Sequence, residues 1–177
     1  MRWSSLFADL EAQLEAAESR ERLAAVPELT RAERAGVALA DRLRAGASAP
    51  LRLTLRGGEV VSGRLVDVTP QWVLLEDDAR EHLVPAAAVA LVSGLPSTAA
   101  PPASGVVRRL TLGHALRAVA RDRSVVRVRV DGGSVLGRVD GVGRDHLDVT
   151  LVQQDSGRPS GERCAVPWSA LLVLSRA

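Results

Sequence analysis

One pattern occurs twice in this chain, and that duplication constrains the fold more tightly than any other feature of the sequence. The first copy, LRLTLRGGEVVSGRLVDVTPQWVLL, begins at Leu51; the second, VRVRVDGGSVLGRVDGVGRDHLDV, begins at Val126. Arg52 aligns with Arg127, Gly57-Gly58 with Gly132-Gly133, and Val60 with Val135. After one dropped residue, Gly63-Arg64 meets Gly137-Arg138 and Val68 meets Val142. Farther on, Val84-Pro85 falls on Val166-Pro167 and Ser93 on Ser175. Shared glycines alone would carry little weight. The same order of strand, Gly-Gly turn, glycine-bent strand and Val-Pro strand, met twice, identifies a duplicated β unit.

Within each copy the alternation of apolar and polar residues sets the local structure. Leu51, Leu53 and Leu55 alternate with Arg52, Thr54 and Arg56, and Val126, Val128 and Val130 alternate with Arg127 and Arg129. A period of two marks a half-buried strand with its arginines outward. Arg56-Gly57-Gly58-Glu59 reads as a hairpin turn. The next strand runs from about Glu59 to Val68, and Gly63 inside it marks a bend where another backbone comes close. Thr69-Pro70-Gln71 turns the chain into a strand starting at Trp72. Glu76-Asp77-Asp78 makes an acidic turn, and two brief strands flank Pro85. In the second copy the loop from about Val152 to Arg163 is longer than its counterpart.

Helical spacing governs the rest. Ser4 or Ser5 can cap a first helix, in which Phe7, Leu10, Leu14 and Ala17 recur at three- and four-residue steps. Leu29, Ala32, Gly36, Leu39 and Leu43 do the same beyond Pro27, which either opens a second helix or kinks a single long one. The stripe is narrow, as in a coiled coil, and suits a helical hairpin or self-association. Ala45-Gly46 ends it. Residues 94–105, GLPSTAAPPASG, form a semi-stiff linker. A short amphipathic helix follows near 111–122, with Leu112, Leu116 and Val119 on one face and Arg117, Arg121 and Arg123 largely off it.

Composition bears on partners. Only 2% of the residues are aromatic, so a core must be built of Val, Leu and Ala. Units as short as these bury little surface alone, so the two copies should pack on each other or on a helix. All 23 basic residues are Arg, as a GC-rich genome would give. Residues 1–46 hold seven Arg and eight acids, residues 47–104 four and six, and residues 105–177 twelve and seven. Only the last third could attract a polyanion. A single cysteine, Cys164, excludes an intrachain disulfide framework and a thiolate metal cluster. The N-terminus lacks a signal-like apolar run, and the longest apolar stretch, Leu83 to Val92, is too short to span a bilayer. These features read as a cytoplasmic protein.

The alternating strand, the Gly58 to Gly63 step, the bent strand and the spacing Gly63, Leu65, Val68, Trp72 to Leu75 resemble the Sm-like (LSm/Hfq-type) SH3-like barrel superfamily, once in each copy. As in that family, each copy follows a helix. The resemblance implies small β-barrels, association edge to edge through the last two strands, and RNA as ligand. Two such units in one chain could pair internally in the same way. The family's RNA-contacting turns are not kept in the first copy, which has Thr69-Pro70-Gln71-Trp72 and Pro85-Ala86-Ala87. The second copy has Gly143-Arg144-Asp145-His146 and Pro167-Trp168-Ser169, which place Arg144, His146 and Trp168 where the family stacks bases and holds phosphates.

Trp72 begins an interior strand and reads as packing, whereas Trp168, after a proline at a turn, reads as exposed. His146 occupies the repeat position of Trp72 and reads as partly buried. His82 and His114 have no partner at ligand spacing, so no metal is expected. No nucleophile sits in an elbow, no glycine-rich phosphate loop opens a helix, and Asp67 aligns with Gly141, so no carboxylate pair recurs. The expectation is a mainly β chain with N-terminal helices and two tandem Sm-like/SH3-like small β-barrels. Its divisions are a helical segment (1–46), a first barrel (47–93), a linker (94–108), and a short helix with the second barrel (109–177). It would be a non-catalytic adaptor without cofactor. RNA or another nucleic acid would bind through Arg127, Arg129 and Arg144 to phosphates and through His146 and Trp168 to bases. The competing expectation is a protein-interaction scaffold assembling through the N-terminal helices and barrel edges.

Overall fold

Among the described residues the alternating segments become ten antiparallel strands. They are β1 (Leu51–Leu55), β2 (Val60–Val68), β3 (Trp72–Glu76), β4 (Glu81–Pro85), β5 (Val89–Ser93), β6 (Val126–Val130), β7 (Gly133–Val142), β8 (His146–Val152), β9 (Pro159–Pro167) and β10 (Leu171–Arg176). Helices α1 (Leu39–Ala45), α2 (Gly105–Arg109) and α3 (Leu112–Asp122) accompany them. The computed structural model describes residues 34–78, 80–153 and 158–176, with Glu15 and Arg31 besides. The stripe at Phe7, Leu10, Leu14, Ala17, Leu29 and Ala32, and the question of Pro27, lie outside the described residues. Gly36–Ala38 is not helical, so the helix read across Gly36 is interrupted there. Among the described residues no helix is long and apolar enough to cross a membrane.

The chain is mainly β, and its strands form one sheet in the order β5-β1-β2-β3-β4-β10-β6-β7-β8-β9. The first five strands and the last five follow the same internal order. Their ladders also keep one register: Leu51 faces Gly63 as Val126 faces Gly137, Arg52 faces Ser93 as Arg127 faces Ser175, and Trp72 faces Pro85 as His146 faces Pro167. Both second strands bulge at one place, after Leu65 and after Val139. Loop hydrogen bonds repeat too. Arg56 N donates to Ala88 O at 2.9 Å as Asp131 N does to Ala170 O at 3.1 Å, and Ala86 N donates to Gln71 O as Trp168 N does to Asp145 O, both at 2.8 Å.

One detail of the sequence alignment moves. Leu53 faces Val61, and Val128 faces Val135, so Val61 rather than Val60 takes the place of Val135. The extra residue of the first copy therefore lies in the hairpin turn, where Gly58 and Gly132 both adopt positive φ (81° and 91°). The core face decides this, because a one-residue slip would turn Val61 outward and Val60 inward. Val61 is buried and Val60 exposed.

Two separately closed barrels were expected; the hydrogen-bonded ladder instead runs through both copies and is not closed. In each copy a tight turn carries the fifth strand across to the first, leaving the fourth with an open edge. The turn residues are Ala86–Ala88 in the first copy and Trp168–Ala170 in the second. Unpaired edge amides need partners. The edge of β4 finds them in β10, with Leu83 facing Leu174 and His82 facing Ser175. Residues 39–177 form one compact unit around two cores. The first core gathers Leu51, Leu53, Leu55, Val73 and Leu75 with Leu43 of α1, and it takes Leu172 and Val173 from β10. The second gathers Val128, Val139, Leu147 and Val149 with Leu112 and Leu116 of α3, and it takes Trp72 and Leu83 from the first copy.

The connection between copies is more structured than a linker. Ala100 N donates to Asp41 O at 3.0 Å, and the Arg42 and Arg44 guanidiniums donate to the carbonyls of Pro96 and Pro101, strapping the segment along α1. Its last residues belong to α2, whose N-cap Ser104 accepts from Val107 N. In α3, Thr111 and His114 cap the start reciprocally and Arg123 closes the end in the left-handed conformation. The second copy's long loop is also shorter than its sequence suggests, since β9 begins at Pro159, opposite Val152.

The bend glycines give a direct check on this geometry. A Cβ on Gly63 would stand 2.6 Å from Glu76 O, and one on Gly137 would stand 2.5 Å from Thr150 O. Gly63→Ala and Gly137→Ala should each lower stability by about 2 kcal/mol in chemical denaturation, while Gly133→Ala, with nothing nearby, should stay within about 0.5 kcal/mol of wild type.

Candidate functional site

The five residues expected to bind nucleic acid fall into two groups. Arg127 and Arg129 lie on β6 and line a groove of about 290 Å³ at the seam between the copies. Arg144, His146 and Trp168 gather at the turns between β7 and β8 and between β9 and β10, where Trp168 N donates to Asp145 O. No described contact joins the groups.

Trp168 departs from its expected exposure. Its ring lies against α3, so that a Cβ on Gly113 would approach Cη2 to 3.0 Å, and it packs on the second core. Its Nε1 is buried with no hydrogen-bond partner. Such a ring offers little face for base stacking. The reason is the helix before β6, whose small Gly113 leaves room for an indole. His146 stays partly exposed, its ring lying over Gly143 and its Nδ1 2.9 Å from Asp145 Oδ1. That hydrogen bond raises the imidazole above its ordinary value; desolvation opposes the shift, and the Asp148 charge adds to it. Arg144 is exposed.

The seam groove is the better-built site. Arg129 is held by Glu59 of the first copy, so it is not a free phosphate ligand. Arg80 and Arg127 also line the groove, and their guanidiniums pair with no acid among the described residues. Arg176 stands 3.9 Å from both Glu81 and Asp122. Four arginines against Glu59 and Asp77 leave the groove net positive. At its floor His82 bridges the copies: Nε2 lies 2.9 Å from Asp77 Oδ2, and Nδ1 lies 2.8 Å from Ser175 Oγ. A carboxylate orienting an imidazole toward a hydroxyl is also the connectivity of acyl-transfer enzymes. Here Ser175 is only 8% exposed and has strand neighbours on both sides, so the relay ties β4 to β10. Among the described residues no group of three His, Cys, Asp or Glu side chains could hold a metal ion.

Sequence reasoning gave His82 no partner because Ser175 lies 93 positions away and meets it only through the seam. Glu59 and Arg80 were missed for the same reason. A second, larger and apolar concavity of about 660 Å³ runs between α3 and the β3–β4 hairpin, with Trp72 in its wall. Trp72 is buried, and its Nε1 donates to Leu110 O at 3.1 Å while Gln71 Oε1 accepts from Leu112 N, which clasps α3 to the first copy.

No protein-family model matches the chain, and no curated protein matches it either.

The pair at Asp145 and His146 predicts a pH signature. A histidine raised in the folded state stabilises the fold below about pH 6.5, and that contribution disappears as pH rises through the folded value. Ring-proton NMR should place the His146 midpoint above that of free histidine, and Asp145→Asn should return it toward the ordinary value.

Proposed function

We propose that this chain is a non-catalytic assembly scaffold made of two fused Sm-like units, each a small, strongly bent sheet around its own core, which joins partners by strand addition at the outer edges of the sheet. The observation that carries this reading is the edge-to-edge junction of β4 with β10, beside two outer strands, β5 and β9, that each have one strand neighbour among the described residues. Open edges of this kind template pairing with another chain. The Sm-like comparison draws support from the common strand order, the bends at Gly63 and Gly137 and the helix before each copy.

Nucleic acid is the second reading, favoured by Arg80 and Arg127 in the seam groove, whose guanidiniums pair with no acid among the described residues. Phosphate binding would use these two, with Arg144 as an outlying contact, and would weaken steeply with salt.

Light scattering on the full chain and on Leu91→Lys tests the leading reading. The wild type should gain mass with concentration, and the charged edge should raise the concentration needed about tenfold or more. A wild-type chain that stays monomeric throughout, or a variant that assembles equally well, contradicts it. On the same samples, a single-stranded RNA mobility shift that weakens about tenfold in Arg80→Ala/Arg127→Ala and fades with salt would favour the second reading; no shift at low salt would remove it.

A further inference from the structure

We propose that the apolar concavity along α3 is a docking site for an extended, proline-containing segment of a partner protein, one that carries acids rather than bases. Its lining takes no residue from the outer strands β5 and β9, so the site stands apart from the assembly reading.

The first copy shows what covers such a face. Each copy follows a helix, and the two helices are equivalent: LADRLRA of α1 matches LGHALRA at the start of α3, with Leu43 on Leu116 and Arg44 on Arg117. Both leucines are buried in the core of their own copy. Along α1 the outward side is occupied by residues 95–101, Leu-Pro-Ser-Thr-Ala-Ala-Pro, which are neither helix nor strand. Ala100 N donates to Asp41 O at 3.0 Å, Arg42 to Pro96 O at 3.1 Å and Arg44 to Pro101 O at 3.2 Å. Those three helix residues correspond to His114, Ala115 and Arg117. All three line the concavity of about 660 Å³ beside α3, which is open among the described residues.

The differences between the two faces define the occupant. Ala115 replaces Arg42, and Trp72, Leu74 and Leu83 of the β3–β4 hairpin stand opposite, so the α3 face is the more apolar and has a second wall. Apolar burial in such a cleft supplies most of the affinity. Arg44 is already paired with Asp41 at 2.8 Å. The counterpart of Asp41 is His114, and Arg117 pairs with no acid among the described residues, which leaves its guanidinium for a carbonyl of the occupant. Arg121, one turn on, pairs with no acid among the described residues either. The acids of the lining, Glu81 and Asp122, share Arg176 at 3.9 Å each. The helix side is therefore positive, which favours an acid on the incoming chain and opposes a lysine. Val119 stands in the place of Gly46, where a Cβ would come within 3.1 Å of Pro96, so the prolines of the occupant lie farther out, toward the hairpin. A proline-rich chain is extended before it binds, and little ordering entropy opposes docking.

The experiment titrates the full chain with the capped peptide GLPSTAAPPA, the sequence of its own residues 94–103, and follows amide and methyl NMR signals. Saturable shifts are expected at Ala115, Ala118 and Val119. Ala118→Glu, at an exposed position of the lining, should weaken binding about tenfold or more, and Arg117→Ala about fivefold, both with unchanged thermal unfolding. In the peptide, Thr98→Glu should bind about fivefold more tightly than Thr98→Lys. Absence of saturable shifts at millimolar peptide overturns the proposal, as do shifts confined to α1, which would report exchange with the chain's own strap. Equal binding by Ala118→Glu and wild type overturns it as well, and so does equal affinity for the two Thr98 peptides. Sodium laurate is titrated in parallel. Saturable shifts at the same residues with laurate and none with the peptide would make the concavity an acyl-chain site instead.

Discussion

The structure depends on one junction, the pairing of β4 with β10. It places Leu83 opposite Leu174 and lets each copy complete the other's core. Leu172 and Val173 enter the first core from the second copy, and Trp72 and Leu83 enter the second core from the first. A core made almost wholly of Val, Leu and Ala buries little per residue, and a unit this short gains stability mainly by sharing surface. The polar ties at the junction, Arg129 to Glu59 and His82 between Asp77 and Ser175, fix its register more than they add stability, since partly exposed ion pairs contribute under about 1 kcal/mol.

The same junction explains why the helices and the connecting segment matter. The start of α3 is held by Trp72 and Gln71 of the first copy while Trp168 of the second copy packs against Gly113. One helix thus touches both halves. The segment from Gly94 to Ser104, strapped to α1, carries the chain from the far edge at β5 back to this helix. The proposed assembly role rests on the resulting asymmetry. A duplicated unit that uses one complementary edge internally leaves the other pair at its ends, and the arginines nearest the junction are divided between holding it and lining its groove.

Much of this fold was legible in the sequence because strand alternation is a local signal. The order of strands, the bends at Gly63 and Gly137, the glycine hairpins and the burial of Trp72 all follow from residues close together in the chain. The register of the first hairpin was not legible: Val60 and Val61 are both valines, and only packing against Leu53 selects one. Trp168 was misjudged because its surroundings are supplied by Gly113, far away in sequence. The groove was invisible for a related reason. Its members, Glu59, Arg80, His82 and Ser175, come from both copies and meet only once β4 and β10 have joined. The helical stripe failed at Gly36 because a spacing pattern does not register the break that a glycine permits there.

If the junction fuses the two copies into one cooperative unit, damage to one core must be felt in the other. Native-state hydrogen exchange on Val139→Ala, a residue buried in the second core alone, measures that coupling most directly. The slowest amides of β2 and β3 in the first copy should lose the same opening free energy as those of β7 and β8, about 2 kcal/mol. Unchanged protection in β2 and β3, with loss confined to the second copy, would contradict the account.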